Sequence, residues 1–203
     1  MTQRKITPFD KRAVFIKHIE PRINTVLAIC QEQGIPMYFL SAVRNTEEET
    51  EYRRISHMPA EILVGLRRDE FSYYKDIENG CRVLHLRRPV VLTEDDMDEE
   101  GEETVAYVRS FDKKDFFINN CGALLKTILI YSKRYELPFF FSACVRNTET
   151  GKGESDYIKM QNSPLIYSEM QLCDDEITRC LNITTGAYYT KKADRHMSEA
   201  PDE

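Results

Sequence analysis

The chain has 203 residues, 41% hydrophobic and 31% charged, which suits one large or two small globular domains. No run approaches 18 apolar residues, and the N-terminal Met-Thr-Gln-Arg-Lys-Ile-Thr lacks an apolar signal region, so a cytoplasmic chain with no membrane helix is predicted. The net charge of −6 is concentrated in residues 94–103, EDDMDEEGEE; without those eight acids, −6 becomes +2.

In chain order, Phe9-Asp10-Lys11 comes first, with Asp10 placed to cap a helical segment and Phe9 to pack beside it. Ile19, Ile23, Val26, Leu27 and Cys30 then fall on one helical face. Pro21 inside that pattern predicts a kink or restart near residue 20, and Gly34 ends the helix. Residues 37–43, MYFLSAV, are a short unbroken apolar run and read as a strand buried on both faces. Arg44-Asn45-Thr46 marks its end, residues 50–58 are the return arm of a hairpin, and residues 61–67 are a third strand. A short helix from Asp69 to Asn79 is stopped by Gly80, and residues 82–92 give a last strand.

The pattern then recurs. Residues 111–149 align without a gap on residues 9–47 at an offset of 102, and 14 of 39 positions are identical. Identity is densest in Phe-Asp-Lys and in Val-Arg-Asn-Thr-Glu. Beyond that core, Tyr52 matches Tyr157 at an offset of 105, and Asp69-Glu70 matches Asp175-Glu176 at 106. The second copy therefore carries extra residues near Gly151-Lys152-Gly153, where a turn is expected. Gly122 sits one alignment position from Pro21 and likewise disfavours a regular helix interior. Residues 155–162 repeat the return arm, residues 165–172 the third strand, and Asp175 to Thr185 the short helix.

A period near 100 residues is domain-sized. The expected fold is α+β: a tandem duplication of an approximately α-β-β-β-α-β unit forming a pseudo-two-fold dimer, with a mainly antiparallel sheet and helices packed on one face. The expected organisation is 1–93 for the first repeat, 94–104 for an acidic linker, 105–195 for the second repeat and 196–203 for a disordered tail. A solvated spacer is the plain reading of the acidic run; a strip that covers basic residues or mimics nucleic acid is the other.

The candidate ligand- or partner-binding residues are Arg44, Asn45 and Thr46 with Arg146, Asn147 and Thr148. A strand end holds polar groups rigidly at a sheet rim, and arginine offers a planar fork to carboxylate or phosphate. The same residues also suit a hairpin corner, where Asn and Thr bond the turn. No catalytic residue is assigned. His18, His57, His85 and His196 have no histidine at the matching position, and no nucleotide-binding, hydrolase or zinc-protease motif is present. No cofactor and no metal site is predicted, since the six cysteines contain no CxxC pair; buried free thiols in a reducing compartment fit their positions.

These features predict a non-enzymatic cytosolic binding protein, an adaptor, regulator or inhibitor that recognises a protein partner through a pseudo-two-fold surface. A nucleotide or nucleic-acid binder using the twin Arg-Asn-Thr strand ends is the alternative, and an enzyme with a site at the repeat interface is a third reading.

Overall fold

The computed structural model describes residues 6–63, 66, 69–80, 109–148, 155–163 and 170–184. The expected last strand at 82–92, the acidic linker, the turn at Gly151-Lys152-Gly153 and the tail at 196–203 lie outside those residues.

The fold is α+β around a mainly antiparallel open sheet. The elements are β1 (Phe9–Asp10), α1 (Arg12–Val14), a π turn (Phe15–Ile19), α2 (Glu20–Gln33), β2 (Met37–Asn45), β3 (Thr50–His57), α3 (Ala60–Leu63), α4 (Phe71–Glu78), β4 (Phe111–Asp112), α5 (Lys114–Arg134), β5 (Phe139–Asn147), β6 (Asp156–Asn162) and α6 (Glu176–Thr184). Strands β2 and β5 are central. β3 and β1 pair with β2, β6 and β4 pair with β5, and every pairing is antiparallel.

The β2–β5 register sets Phe39 opposite Phe141, Tyr38 opposite Ser142 and Leu40 opposite Phe140. Positions 39 and 141 are themselves 102 apart, and adding 102 to one partner of either flanking pair gives the other pair. Just beyond the ladder, the Ala42 amide donates to the Pro138 carbonyl at 3.1 Å and the Cys144 amide to Pro36 at 3.0 Å. Both hairpins slip by one residue at the same place, between Ala42 and Arg44 and between Cys144 and Arg146.

Helices cover both faces of this sheet, which corrects the expectation of one covered face. One core joins Phe15, Ile23, Val26, Cys30, Phe117, Cys121, Leu125 and Ile128 of the long helices to Met37, Phe39, Val43, Phe139, Phe141 and Val145. The second joins Phe71, Tyr74 and Ile77 of α4 and Ile177, Cys180 and Ile183 of α6 to Tyr38, Leu40, Ala42, Phe140 and Cys144. The cause is visible in β2 and β5: successive strand residues point to opposite faces, so an unbroken apolar run needs cover on each.

One further expectation is corrected. Of residues 61–67, only 61–63 and 66 are described; where a strand was expected, Ala60–Leu63 is a turn of helix with the Ile62 amide on the Pro59 carbonyl at 3.0 Å. Ile62 and Leu66 are buried, and their spacing of four suits a helix as well as a short strand. Of residues 165–172 only 170–172 are described, and they hold no strand.

The expected helix break near residue 20 is present. Before Pro21 the backbone widens into the π turn, whose closing bond runs from the Glu20 amide to the Phe15 carbonyl. Proline has no amide to give and clashes with the preceding turn, so the ladder is relieved there. Gly122 only forgoes a side chain, and α5 runs through it from Lys114 to Arg134.

Both long helices end alike. Gly34 has φ +63° and Glu136 has φ +51°, and the following amides, of Ile35 and Leu137, return to the Cys30 and Ser132 carbonyls at 2.8 Å each. Cys30, Cys121, Cys144 and Cys180 are buried free thiols, and Cys173 is exposed.

Candidate functional site

The two signatures of the repeat meet in space. β1 lies against the end of β2, with Phe9 opposite Asn45 and Asp10 opposite Arg44; β4 lies against the end of β5, with Phe111 opposite Asn147 and Asp112 opposite Arg146. The Lys11 and Lys113 amides close each corner on the Val43 and Val145 carbonyls at 2.7 Å. Asp10 and Asp112 accept the Arg12 and Lys114 amides at 3.2 Å, which starts each long helix. Arg12 also grips the Asp10 carboxylate directly, and with the backbone bond this holds it down at about 2.

At the first corner Asn45 is buried. Its amide nitrogen donates to the Thr7 carbonyl at 2.8 Å and the Gln171 carbonyl at 3.0 Å. Its oxygen accepts the Thr50 hydroxyl at 2.8 Å and the Cys173 amide at 3.0 Å. Thr46 closes the hairpin by accepting the Glu49 amide at 3.1 Å and donating to the Glu49 carbonyl at 3.2 Å. Arg44 is the surface member, partly exposed and 3.3 Å from Glu49. At the second corner Asn147 is buried, donates to the Arg109 carbonyl at 2.7 Å and accepts the Ser155 hydroxyl at 2.9 Å. Arg146 and Thr148 are partly exposed, though the Arg146 Nε is itself buried. Both asparagines and Thr46 thus spend their polar groups holding the corner, which leaves the arginines for any ligand.

The structure does not bring the two corners together. Arg44 and Arg146 each stand five residues beyond the Phe39–Phe141 pair, in opposite directions along antiparallel strands. At about 3.3 Å per residue they are separated by roughly 33 Å, so no small ligand touches both.

A second pair of polar clusters escaped the sequence reading. Arg54 on β3 donates to both oxygens of Glu176, at 2.6 and 2.7 Å, and Glu176 opens α6. The Tyr52 hydroxyl accepts the Glu176 amide at 3.0 Å and donates to the Asp174 carbonyl. On the other side Lys159 of β6 lies 2.9 and 2.8 Å from the oxygens of Glu70, which sits at the start of α4. The Glu70 amide donates to the Tyr157 hydroxyl at 3.3 Å, and the Tyr74 hydroxyl donates to its carboxylate at 2.8 Å. Arg54 also lies over the Tyr52 ring, and Lys159 over Tyr157.

Tyr52 corresponds to Tyr157, Arg54 to Lys159 and Glu70 to Glu176. The clamps are crossed: the first hairpin holds the second short helix and the second hairpin holds the first. Burial raises the Glu176 carboxyl above its ordinary range, against the opposing pull of Arg54. A helix N-terminus favours a carboxylate, which helps offset that burial. The matched Tyr52/Tyr157 and Glu70/Glu176 were the signal in the sequence, but nothing local says that they cross.

Among the described residues no group of three or more His, Cys, Asp or Glu is placed to hold a metal ion, and no helix is long and apolar enough to cross a membrane. No protein-family model, curated protein or solved structure matches the chain.

Proposed function

We propose that this chain is a non-enzymatic binding protein of the cytoplasm, a fused pseudo-dimer that recognises a protein partner through the outer face of its long helices. The pseudo-two-fold reading is supported by the self-matching β2–β5 register, the paired Ala42–Pro138 and Cys144–Pro36 bonds and the crossed Glu clamps. An isologous interface makes each of these contacts twice. The cytoplasmic reading draws on the buried free thiols, which suit a reducing compartment.

The observation that carries the binding reading is the exposure of large apolar side chains on that face. Ile16 and Ile118, 102 positions apart, are 53% and 47% exposed, and Phe116 and Ile130 on α5 are also exposed. Ile16 and Ile118 recur at matched positions of the two helices, and exposed apolar side chains of this size suit an interaction face. The twin-corner alternative draws less support, because Asn45, Thr46 and Asn147 are already bonded; Arg44 and Arg146 would act as two separate sites.

The test is capture from extract on immobilised wild type, Ile16→Asp/Ile118→Asp and Arg44→Ala/Arg146→Ala, read by quantitative mass spectrometry. A stoichiometric protein held by the wild type and the arginine variant, but lost from the isoleucine variant, is the expected result. A partner lost only from the arginine variant moves the surface to the corners, and no retained protein at all sinks the reading.

A further inference from the structure

α2 and α5 pack antiparallel, with Cys30 beside Cys121 near one end and His18 beside Tyr131 near the other. At the His18 end three rings gather. The centroids of His18 and Tyr131 are 4.6 Å apart, those of His18 and Tyr135 5.4 Å, and those of Tyr131 and Tyr135 6.3 Å; the planes lie within 22° of one another. The Arg22 guanidinium stands 5.0 Å over Tyr131 and that of Arg134 5.6 Å over Tyr135. Arg22 is held in place by a 2.7 Å bond to the His18 carbonyl.

The surroundings are positive. Lys17 is exposed on the same turn as His18, and among the described residues no ion pair engages Lys17, Arg22 or Arg134. The acids on these turns are Glu20 and Glu136. Burial, then the charges of Lys17, Arg22 and Arg134, lower the His18 pKa, so its ring is neutral at pH 7 and adds a flat surface rather than a charge.

The opposite end of the same helix crossing supplies a control. The positions 102 away from His18, Tyr131, Tyr135, Arg22 and Arg134 are Asn120, Ile29, Gln33, Leu124 and Glu32. That end closes with neither a ring stack nor a basic cluster, so packing the helices does not require one.

We propose that the His18 end of the helix pair binds single-stranded nucleic acid, with bases stacking on the rings and Lys17, Arg22 and Arg134 meeting the phosphates. Partly exposed aromatic rings beside cations that no ion pair engages resemble the pattern by which proteins hold unpaired strands, since every base has a face to stack and every nucleotide a charge to neutralise. A duplex hides its base faces and is bound less well here. The site goes beyond the protein-partner reading and lies at neither Arg-Asn-Thr corner.

The experiment is fluorescence anisotropy with the full chain and a labelled oligothymidylate of about twelve nucleotides, across a salt series. Binding is expected to weaken with a log–log slope of about −2, from three phosphate contacts at about 0.7 each. Tyr135→Ala lowers affinity about fivefold or more with little change in slope, and Tyr135→Phe restores it. Arg22→Ala/Arg134→Ala flattens the slope by about 1.4. Gln33→Ala, at the opposite end, leaves binding intact. Circular dichroism and urea midpoints establish that each variant is folded. The proposal is overturned if the wild type fails to bind the oligomer at low salt, if a duplex or thymidine monophosphate binds as tightly, or if folded Tyr135→Ala and Arg22→Ala/Arg134→Ala bind like the wild type.

Discussion

Replacing Arg54 by methionine tests whether the crossed clamps hold the two halves of the chain together. The change keeps the apolar stem and removes the guanidinium, so Glu176 is left buried with its principal counter-charge gone. The Glu176 side chain is 9% exposed and that of Arg54 28%. Breaking a fully buried pair costs about 3–5 kcal/mol, and partial access of water to Arg54 sets the expectation near the lower limit, about 3 kcal/mol at pH 7. Glu176→Gln in the same background removes the stranded charge, so the double variant is more stable than Arg54→Met alone, with a coupling of about 2 kcal/mol.

The pH dependence has a definite sign. Burial raises the folded-state pKa of Glu176 above its ordinary 4.5. Stability from this group is therefore fully present below 4.5 and is lost as pH rises through the folded value. Without Arg54 that folded value rises further, so the deficit of Arg54→Met shrinks on acidification toward pH 4.5, whereas the double variant carries no such term. The chain has no tryptophan, so urea unfolding followed by circular dichroism at several pH values is the assay. Additive effects, or an Arg54→Met deficit that is independent of pH, would refute the clamp as the source of stability.

Two further substitutions probe the frame. Gly34→Ala is expected to cost about 1–2 kcal/mol, because the left-handed φ of +63° disfavours a side chain and the new Cβ would stand 3.4 Å from the Ile62 Cδ1. Glu136→Gly at φ +51° should instead raise Tm by about 2–3 °C, because the Lys11 bond goes to the backbone carbonyl and is retained; calorimetry that finds both changes destabilising contradicts this account. Asn45→Ala removes four bonds from a buried amide and should cost about 3 kcal/mol, with faster hydrogen exchange at the Cys173 amide. A loss below about 1 kcal/mol would mean that Asn45 does not pin the corner.

Much of the frame was legible because its signals are local. The apolar phase of residues 19–30 placed α2, the unbroken run at 37–43 and its match 102 residues on placed the central strands, and Gly34 placed a helix end. The corner was half legible: Arg44-Asn45-Thr46 stood out, yet Asn45 is bonded to Thr7 and Gln171, partners that no spacing rule indicates. Residues 61–63 were misread because a short apolar segment satisfies the strand and helix patterns alike. Glu136 in a left-handed conformation was hidden because its side chain gives no glycine signal.

The amino-acid sequence by itself showed the self-match of residues 9–47 and 111–149, and determined the order of most elements and the pairing of apolar runs with buried strands, which depend on residues a few positions apart. Only the tertiary structure decided that both faces of the sheet are covered, that Arg54 reaches Glu176 across 122 residues while Lys159 reaches Glu70 across 89, and that His18 meets Tyr131 and Tyr135. Local patterns state how much of each side chain is buried. Which distant surface buries it depends on the arrangement that covers both faces and pairs every buried charge at once, and that is a property of the whole chain.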